Sequence, residues 1–248
     1  MMDGDTLLLL ALAIAAAAAL YASVGHGGAS AYIALMALFG MAPDEIRPIA
    51  LALNILVAGL GAIRFIGAGR FSWDVFWPFA ATAVPAAFFA ARIPAPDAVF
   101  RALLALALAA AALRYLLWPQ IDAIKPARAP SKFVALASGA ALGALAGLTG
   151  IGGGVFLSPL LVYAGWADPQ RATGIAALFI VVNSAAGLAG RFGSLALVPS
   201  FAAWLALAAM AGALAGTALS LARFDKSTIL RALGAVLAIA AAALALQS

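Results

Sequence analysis

The sequence predicts an all-α polytopic membrane protein made of two inverted repeats, each of about five helical segments that include short or re-entrant helices after glycine-rich breaks. Three observations predict it. Of 248 residues, 67% are hydrophobic and 9% are charged, against about 25% charged in a soluble domain. With a mean hydropathy of +1.12, that much apolar surface needs lipid as its solvent. Apolar stretches bounded by charge, Pro or Gly recur ten times, and the first five match the second five when the chain is laid along itself.

The first segment, Leu7–Val24, is an apolar run preceded by Asp3 and Asp5 rather than by Lys or Arg, so it is expected to be a retained span and not a cleaved signal. Ala29–Phe39 follows the cluster Gly25-His26-Gly27-Gly28 and is too short to cross. Pro48–Ile66, Trp73–Ala91 and Ala98–Leu117 approach the roughly 20 residues that a bilayer requires. The second set opens with Lys132–Leu148. Another short segment, Val155–Ala164, follows Gly150-Ile151-Gly152-Gly153-Gly154; then come Ala172–Gly190, Val198–Leu221 and Ser227–Leu246. Short, Gly-interrupted segments at matching places are the sequence pointer to the broken helices of transporters. The chain divides into a first repeat at 1–118, a linker at 119–131 expected in the cytoplasm, and a second repeat at 132–248.

The internal match rests on a few residues. Gly25, Gly27, Gly28 and Gly40 fall on Gly150, Gly152, Gly153 and Gly165; after a gap of about one turn Asn54 falls on Asn183 and Gly61 on Gly190, and Arg101 reaches Arg231. Charge then selects the topology through the positive-inside rule. Five crossings per half, or three with re-entrant hairpins, put Arg64, Arg70, Arg114, Lys125, Arg128, Lys132, Arg171, Arg223, Lys226 and Arg231 on one side and Arg47, Arg92, Arg101 and Arg191 on the other. Four crossings per half would divide the same charges evenly. The odd count makes the repeats inverted and puts both termini outside the cytoplasm.

Composition removes several function classes. The net charge of +5 is spread through loops with no basic run, which argues against a nucleic-acid partner. Cysteine is absent, excluding thiolate metal sites, disulfides and Cys nucleophiles. No Gly-x-Ser-x-Gly, His-Glu-x-x-His or acidic dyad is present, so a hydrolase has no recognisable machinery, and no catalytic residue, metal site or cofactor is expected. All nine carboxylates lie in loops or at span ends, leaving no intramembrane Asp or Glu for a proton relay.

What remains are neutral polar groups and glycines. The stretch Thr149, Gly150, Gly152, Gly153, Gly154 and Ser158, with its mate Gly25, His26, Gly27 and Gly28, lets the backbone unwind ahead of two helices. Free N–H groups and the positive dipole end of each helix then suit an anion; close helix packing is the other use of such glycines. Asn54 and Asn183 sit inside apolar spans and need partners, either another helix or a ligand. His26, the only histidine, is a candidate donor to an anion or a simply solvated residue at a loop tip. Arg64 and Arg191, near span ends, are candidates for an anion vestibule or for contact with headgroups.

Gly-Ile-Gly-Gly-Gly154 with Ser158-Pro-Leu-Leu161, then Arg171-Ala-Thr-Gly-Ile-Ala-Ala-Leu-Phe-Ile-Val-Val-Asn-Ser184, and in the first half Arg47-Pro-Ile-Ala-Leu-Ala-Leu-Asn-Ile-Leu-Val57 with Arg64, resemble the TauE/SafE family of sulfite exporters over nearly the whole chain. The resemblance implies a plasma-membrane permease for sulfite or an organosulfonate. His26 and Ala29 stand where the second half has Ile151 and Gly154. The expected partners are a small anion, the bilayer and, as an open assembly state, a second copy in a homodimer; a channel, or a carrier for a small carboxylate, is the alternative.

Overall fold

The computed structural model describes residues 3–23, 25–94, 97–117, 130–193 and 198–219, with scattered positions between 231 and 242. Nearly all of the expected linker at 119–131 and most of Ser227–Leu246 lie outside the described residues. The described residues form only helices: α1 Gly4–Ser23, α2 Ala29–Leu38, α3 Pro43–Gly67, α4 Trp73–Ala91, α5 Asp97–Leu117, α6 Lys132–Thr149, α7 Gly154–Tyr163, α8 Pro169–Gly190 and α9 Ala202–Leu219. Of these, α1, α3, α4, α6 and α8 are long and apolar enough to cross a membrane. The protein is a multi-pass membrane protein, and its large exposed side chains agree: Leu8, Leu12, Phe89, Leu106 and Leu207 are all more than half exposed, as lipid-facing residues are.

Local chemistry sets the helix starts. Asp168 caps α8 by accepting the N–H groups of Gln170 and Arg171 at 3.1 and 3.0 Å, and Pro169 takes the first helical position, where no N–H is needed. In α3, Pro43 plays the same part, and Glu45 reaches back to the Ala42 N–H at 3.4 Å. Hence α3 begins at Pro43, five residues before the expected Pro48, and Arg47 lies inside the helix. Aromatic residues gather at the ends: Trp73 and Phe133, which open α4 and α6, are exposed, as are Phe192 and Trp204 at the other end, in the manner of interfacial belts.

Helix direction follows from close approaches. The Cβ positions of Gly139, Gly143 and Gly147 on α6 fall against Phe79, Ala83 and Ala87 of α4, so the two helices run parallel with backbones touching. On α9, Gly212 and Gly216 meet Ala15 and Ala19 of α1 in the same way. Small residues at these seams replace the hydrophobic effect, which gives no driving force between helices in lipid. Gly174 touches Arg70 and Gly190 touches Phe88, so α8 also runs parallel to α4. Gly61 facing Ala177 and Gly187 facing Leu51 make α3 and α8 an antiparallel central pair. We call the two ends of the molecule the Arg171 end and the Asp44 end.

Two helical hairpins flank that pair. α6 enters from the Arg171 end, the chain turns at Gly150–Gly153, and the 10-residue α7 returns along the first half of α8. α1 enters from the Asp44 end, turns after Ser23, and the 10-residue α2 returns to the start of α3. At 1.5 Å per residue each short helix covers about 15 Å, half of the hydrocarbon thickness. The packing is reciprocal: α1 on α9, α2 on α3, α1 on α3 and α3 on α9 are matched by α6 on α4, α7 on α8, α6 on α8 and α8 on α4.

Gly143→Leu forces the α4 and α6 backbones apart and is expected to lower stability by about 3 kcal/mol or more. At Gly59, where nothing lies within 4 Å, Gly59→Ala should stay within about 1 kcal/mol of the parent and on the stabilising side. Unfolding in detergent followed by circular dichroism compares them, and equal stability of the two variants contradicts the seam.

Candidate functional site

Asn54 stands halfway along α3 and is fully buried. Its Oδ1 accepts the backbone N–H of Ala29, the first residue of α2, at 3.1 Å. Its Nδ2 donates to the carbonyl of Ile151, in the turn before α7, and to Ser184 Oγ on α8, both at 3.3 Å. One amide therefore ties together both hairpin tips and the central helix pair. A buried amide without partners costs several kcal/mol in such surroundings; here the protein itself supplies them.

The tips come this close because they carry no side chains. A Cβ on Gly27 would lie 2.6 Å from Asn54 Oδ1, and one on Gly152 2.8 Å from Asn54 Nδ2; both positions lie 3.1 Å from Ile180 Cγ2. Gly28 and Gly153, the residues before α2 and α7, hold φ of 90° and 75°, a left-handed conformation that side chains rarely adopt. The α2 and α7 N-termini thus start at one place, near the midpoint of the α3/α8 pair. Each contributes first-turn N–H groups and the positive end of its dipole.

Other polar groups gather on the α1–α2 side. Tyr21 Oη and Ser30 Oγ share a hydrogen bond of 2.6 Å. Tyr32 Oη is fully buried, packs against Gly28, and has no hydrogen-bond partner among the described residues. His26 is buried, not solvated at a loop tip, and its backbone N–H donates to the Tyr21 carbonyl at 2.9 Å. On the α6–α7 side, Thr149 Oγ1 donates to the Leu145 carbonyl at 2.7 Å and accepts the Ile151 N–H at 3.3 Å, which shapes the turn. Ser158 is buried in α7.

The structure separates some residues that the sequence grouped. Asn183 does not share the bridging role of Asn54. It donates to the Phe179 carbonyl of its own helix at 3.0 Å, its Oδ1 has no hydrogen-bond partner among the described residues, and Ile180 is the α8 residue that both glycine tips touch. Both α3 and α8 begin at a proline after an extended residue. Arg64 is exposed in the last turn of α3, at the Arg171 end. Arg191, just beyond α8 at the Asp44 end, is 9% exposed. Burial pulls its guanidinium below its ordinary pKa while the Asp44 carboxylate pulls the other way, and it remains a cation.

Three residues escaped sequence reasoning. Ser184 directly follows Asn183 and was hidden by matching Asn to Asn. Arg47 is 2% exposed in the second turn of α3, and a Cβ on Gly150 would lie 3.7 Å from its Cα; the start signal Pro43-Asp44-Glu45 could have revealed it. Tyr32 lies one turn after Gly28, a place where a hydroxyl faces the loop, but an aromatic residue in an apolar span gives no such signal.

Paired half-length helices that start after glycine breaks midway along the central helix pair, with their N-termini joined through a buried amide, have the form of the broken helices of membrane transporters. The chain belongs to the TauE/SafE family: residues 9–244 match the family model described as sulfite exporter TauE/SafE. It is also 36% identical over 231 residues to the probable membrane transporter protein y4hK of Sinorhizobium fredii, covering 92% of this chain and 93% of that one. No solved structure matches the chain.

Asn54→Ala removes three hydrogen bonds and strands the Ala29 N–H and the Ile151 carbonyl, which is expected to cost about 2–4 kcal/mol. Asn183→Leu removes one bond within its own helix together with a partnerless oxygen and should change stability by less than about 1 kcal/mol. Thermal unfolding of both variants checks the contrast, and the reverse order of effects refutes the assignment of Asn54 as the cross-link.

Proposed function

We propose that the chain carries a small anion, sulfite or an organosulfonate, held at the midplane by the N-termini of α2 and α7. The observation that carries this reading is the double attachment of Asn54, which brings two helix N-termini to one buried spot. Dipole ends of like sign facing one another repel unless negative charge lies between them. Backbone donors of Gly27, Gly28, Ser30, Gly152, Gly154 and Val155 would form the shell, and the Tyr32 hydroxyl would complete it.

The mechanism also uses the proposed inverted repeat. Reciprocal helix packing, together with hairpins that enter from opposite ends, supports the exchange of α1–α4 with α6–α9 by a two-fold axis in the membrane plane. Rocking one half against the other around a fixed site then gives alternate access. Among the described residues no carboxylate is buried, so movement of the anion rests on its gradient and on the membrane potential. At 100 mV, inside negative, the potential favours export by about 2.3 kcal/mol per charge. In this reading the Asp44 end is extracytoplasmic, as are both termini, in agreement with the positive-inside count.

Proteoliposomes should pass sulfite or methanesulfonate faster than empty vesicles, and acetate more slowly. Tyr32→Phe keeps the ring, loses the hydroxyl and should raise the half-saturating concentration about tenfold. Absence of flux for every anion tested would sink the substrate reading, and an unchanged half-saturation in the phenylalanine variant removes Tyr32 from the shell. Because the chain contains no cysteine, Asp5→Cys and Arg70→Cys give single labels: an impermeant maleimide added to intact cells should modify the first and spare the second.

A further inference from the structure

α9 stands off the central helix pair where α4 does not. Gly174 and Gly190 seat α8 against α4, but among the described residues no glycine of α3 or α9 meets the other helix, and helices in lipid close up where small residues let their backbones touch. α9 packs on α1 and α3, and α8 on α3 and α4. Between α8 and α9, with α3 as its floor, a partly open cleft of about 250 Å³ remains. Pro48, Ile49 and Leu53 of α3, Leu188 of α8, and Ala202 and Ala206 of α9 line it. An apolar cavity of about 150 Å³ already stays dry and takes up hydrocarbon. From Pro48 to Leu53 the cleft runs about 7.5 Å inward from the Asp44 end.

Its rim is charged. Asp44 lies one turn before Pro48 on the same face of α3, and Arg191 follows Leu188 by three residues at the end of α8. The Asp44 carboxylate is close enough for its charge to act on the Arg191 guanidinium, yet the two are not joined: the ion pair found among the described residues links Arg171 to Asp168. Arg191 keeps Nε and Nη2 without a hydrogen-bond partner among the described residues. Asp44 is exposed, while Glu45 beside it is engaged with the Ala42 N–H. Phe192 and Trp204, both exposed, put this level at the membrane interface.

A cation and a carboxylate at the mouth of an apolar cleft complement a zwitterionic lipid. An anionic headgroup would satisfy Arg191 but meet the charge of Asp44, and a choline headgroup has no N–H to donate to that carboxylate. An ethanolamine headgroup offers phosphate oxygens to the guanidinium and an ammonium to the carboxylate. We propose that the cleft holds a phosphatidylethanolamine of the surrounding bilayer, with one acyl chain along Pro48–Leu53, its phosphate on Arg191 and its ammonium on Asp44. The lipid fills the space that α9 leaves over α3, and its binding does not depend on which anion the chain carries.

Native mass spectrometry of the purified protein in mild detergent, offered equal amounts of palmitoyl-oleoyl phosphatidylethanolamine, phosphatidylcholine and phosphatidylglycerol, reads the site. One phosphatidylethanolamine per chain should stay bound, about threefold in preference to either of the others. Asp44→Asn should erase the preference over phosphatidylglycerol. Ala202→Phe, which fills the cleft, and Arg191→Gln should each lower the occupancy by all three lipids about tenfold. Asp44→Asn alters only an exposed side chain and therefore decides even where the other two variants fail to fold. Phosphatidylglycerol held more tightly than phosphatidylethanolamine, equal retention of the three lipids, or a preference unchanged in Asp44→Asn overturns the proposal.

Discussion

The architecture depends on one buried amide. Asn54 accepts from the first N–H of α2 and donates to the turn before α7, so the two hairpin tips can neither separate nor rotate without leaving polar groups unsatisfied in a region that water does not reach. Glycine at 27 and 152 is the condition for that contact, since any side chain there would occupy the space of the amide itself. The short length of α2 and α7 is its consequence: a helix that starts at the midplane needs only half a bilayer to reach the surface.

Around this point the seams are built from small residues. Glycine on α6 against α4, and on α9 against α1, lets backbones touch where lipid offers no hydrophobic reward for association. The seams run along the outer helices, while polar side chains collect at the tips. The outer seams give rigid walls, and the tips hold the groups proposed to face a ligand.

Much of the fold was legible in the sequence because hydropathy and glycine clusters are strong signals in lipid. The short helices after Gly28 and Gly153, the hairpin turns and the central role of Asn54 all follow from residues that stand out in an Ala/Leu background. What the sequence hid was which polar residues meet. Matching Asn54 to Asn183 suggested one role for both, yet Asn54 bridges the two tips, Asn183 bonds within α8, and Ile180 is the α8 residue that both Gly27 and Gly152 approach. Arg47 was hidden for a related reason: Pro48 reads as a helix boundary, but α3 tolerates it in its second turn, and the charge assigned to a loop lies buried inside the helix.

The central claim is that backbone donors at the two joined tips hold the anion. Solid-state NMR of the protein in bilayers, with 15N at the amides of Ser30, Gly154 and Val155, tests it most directly. On titration with sulfite all three signals should shift along one saturation curve, while amides of the outer seams such as Gly143 stay fixed. The absence of shifts at the tips at saturating sulfite would contradict the account.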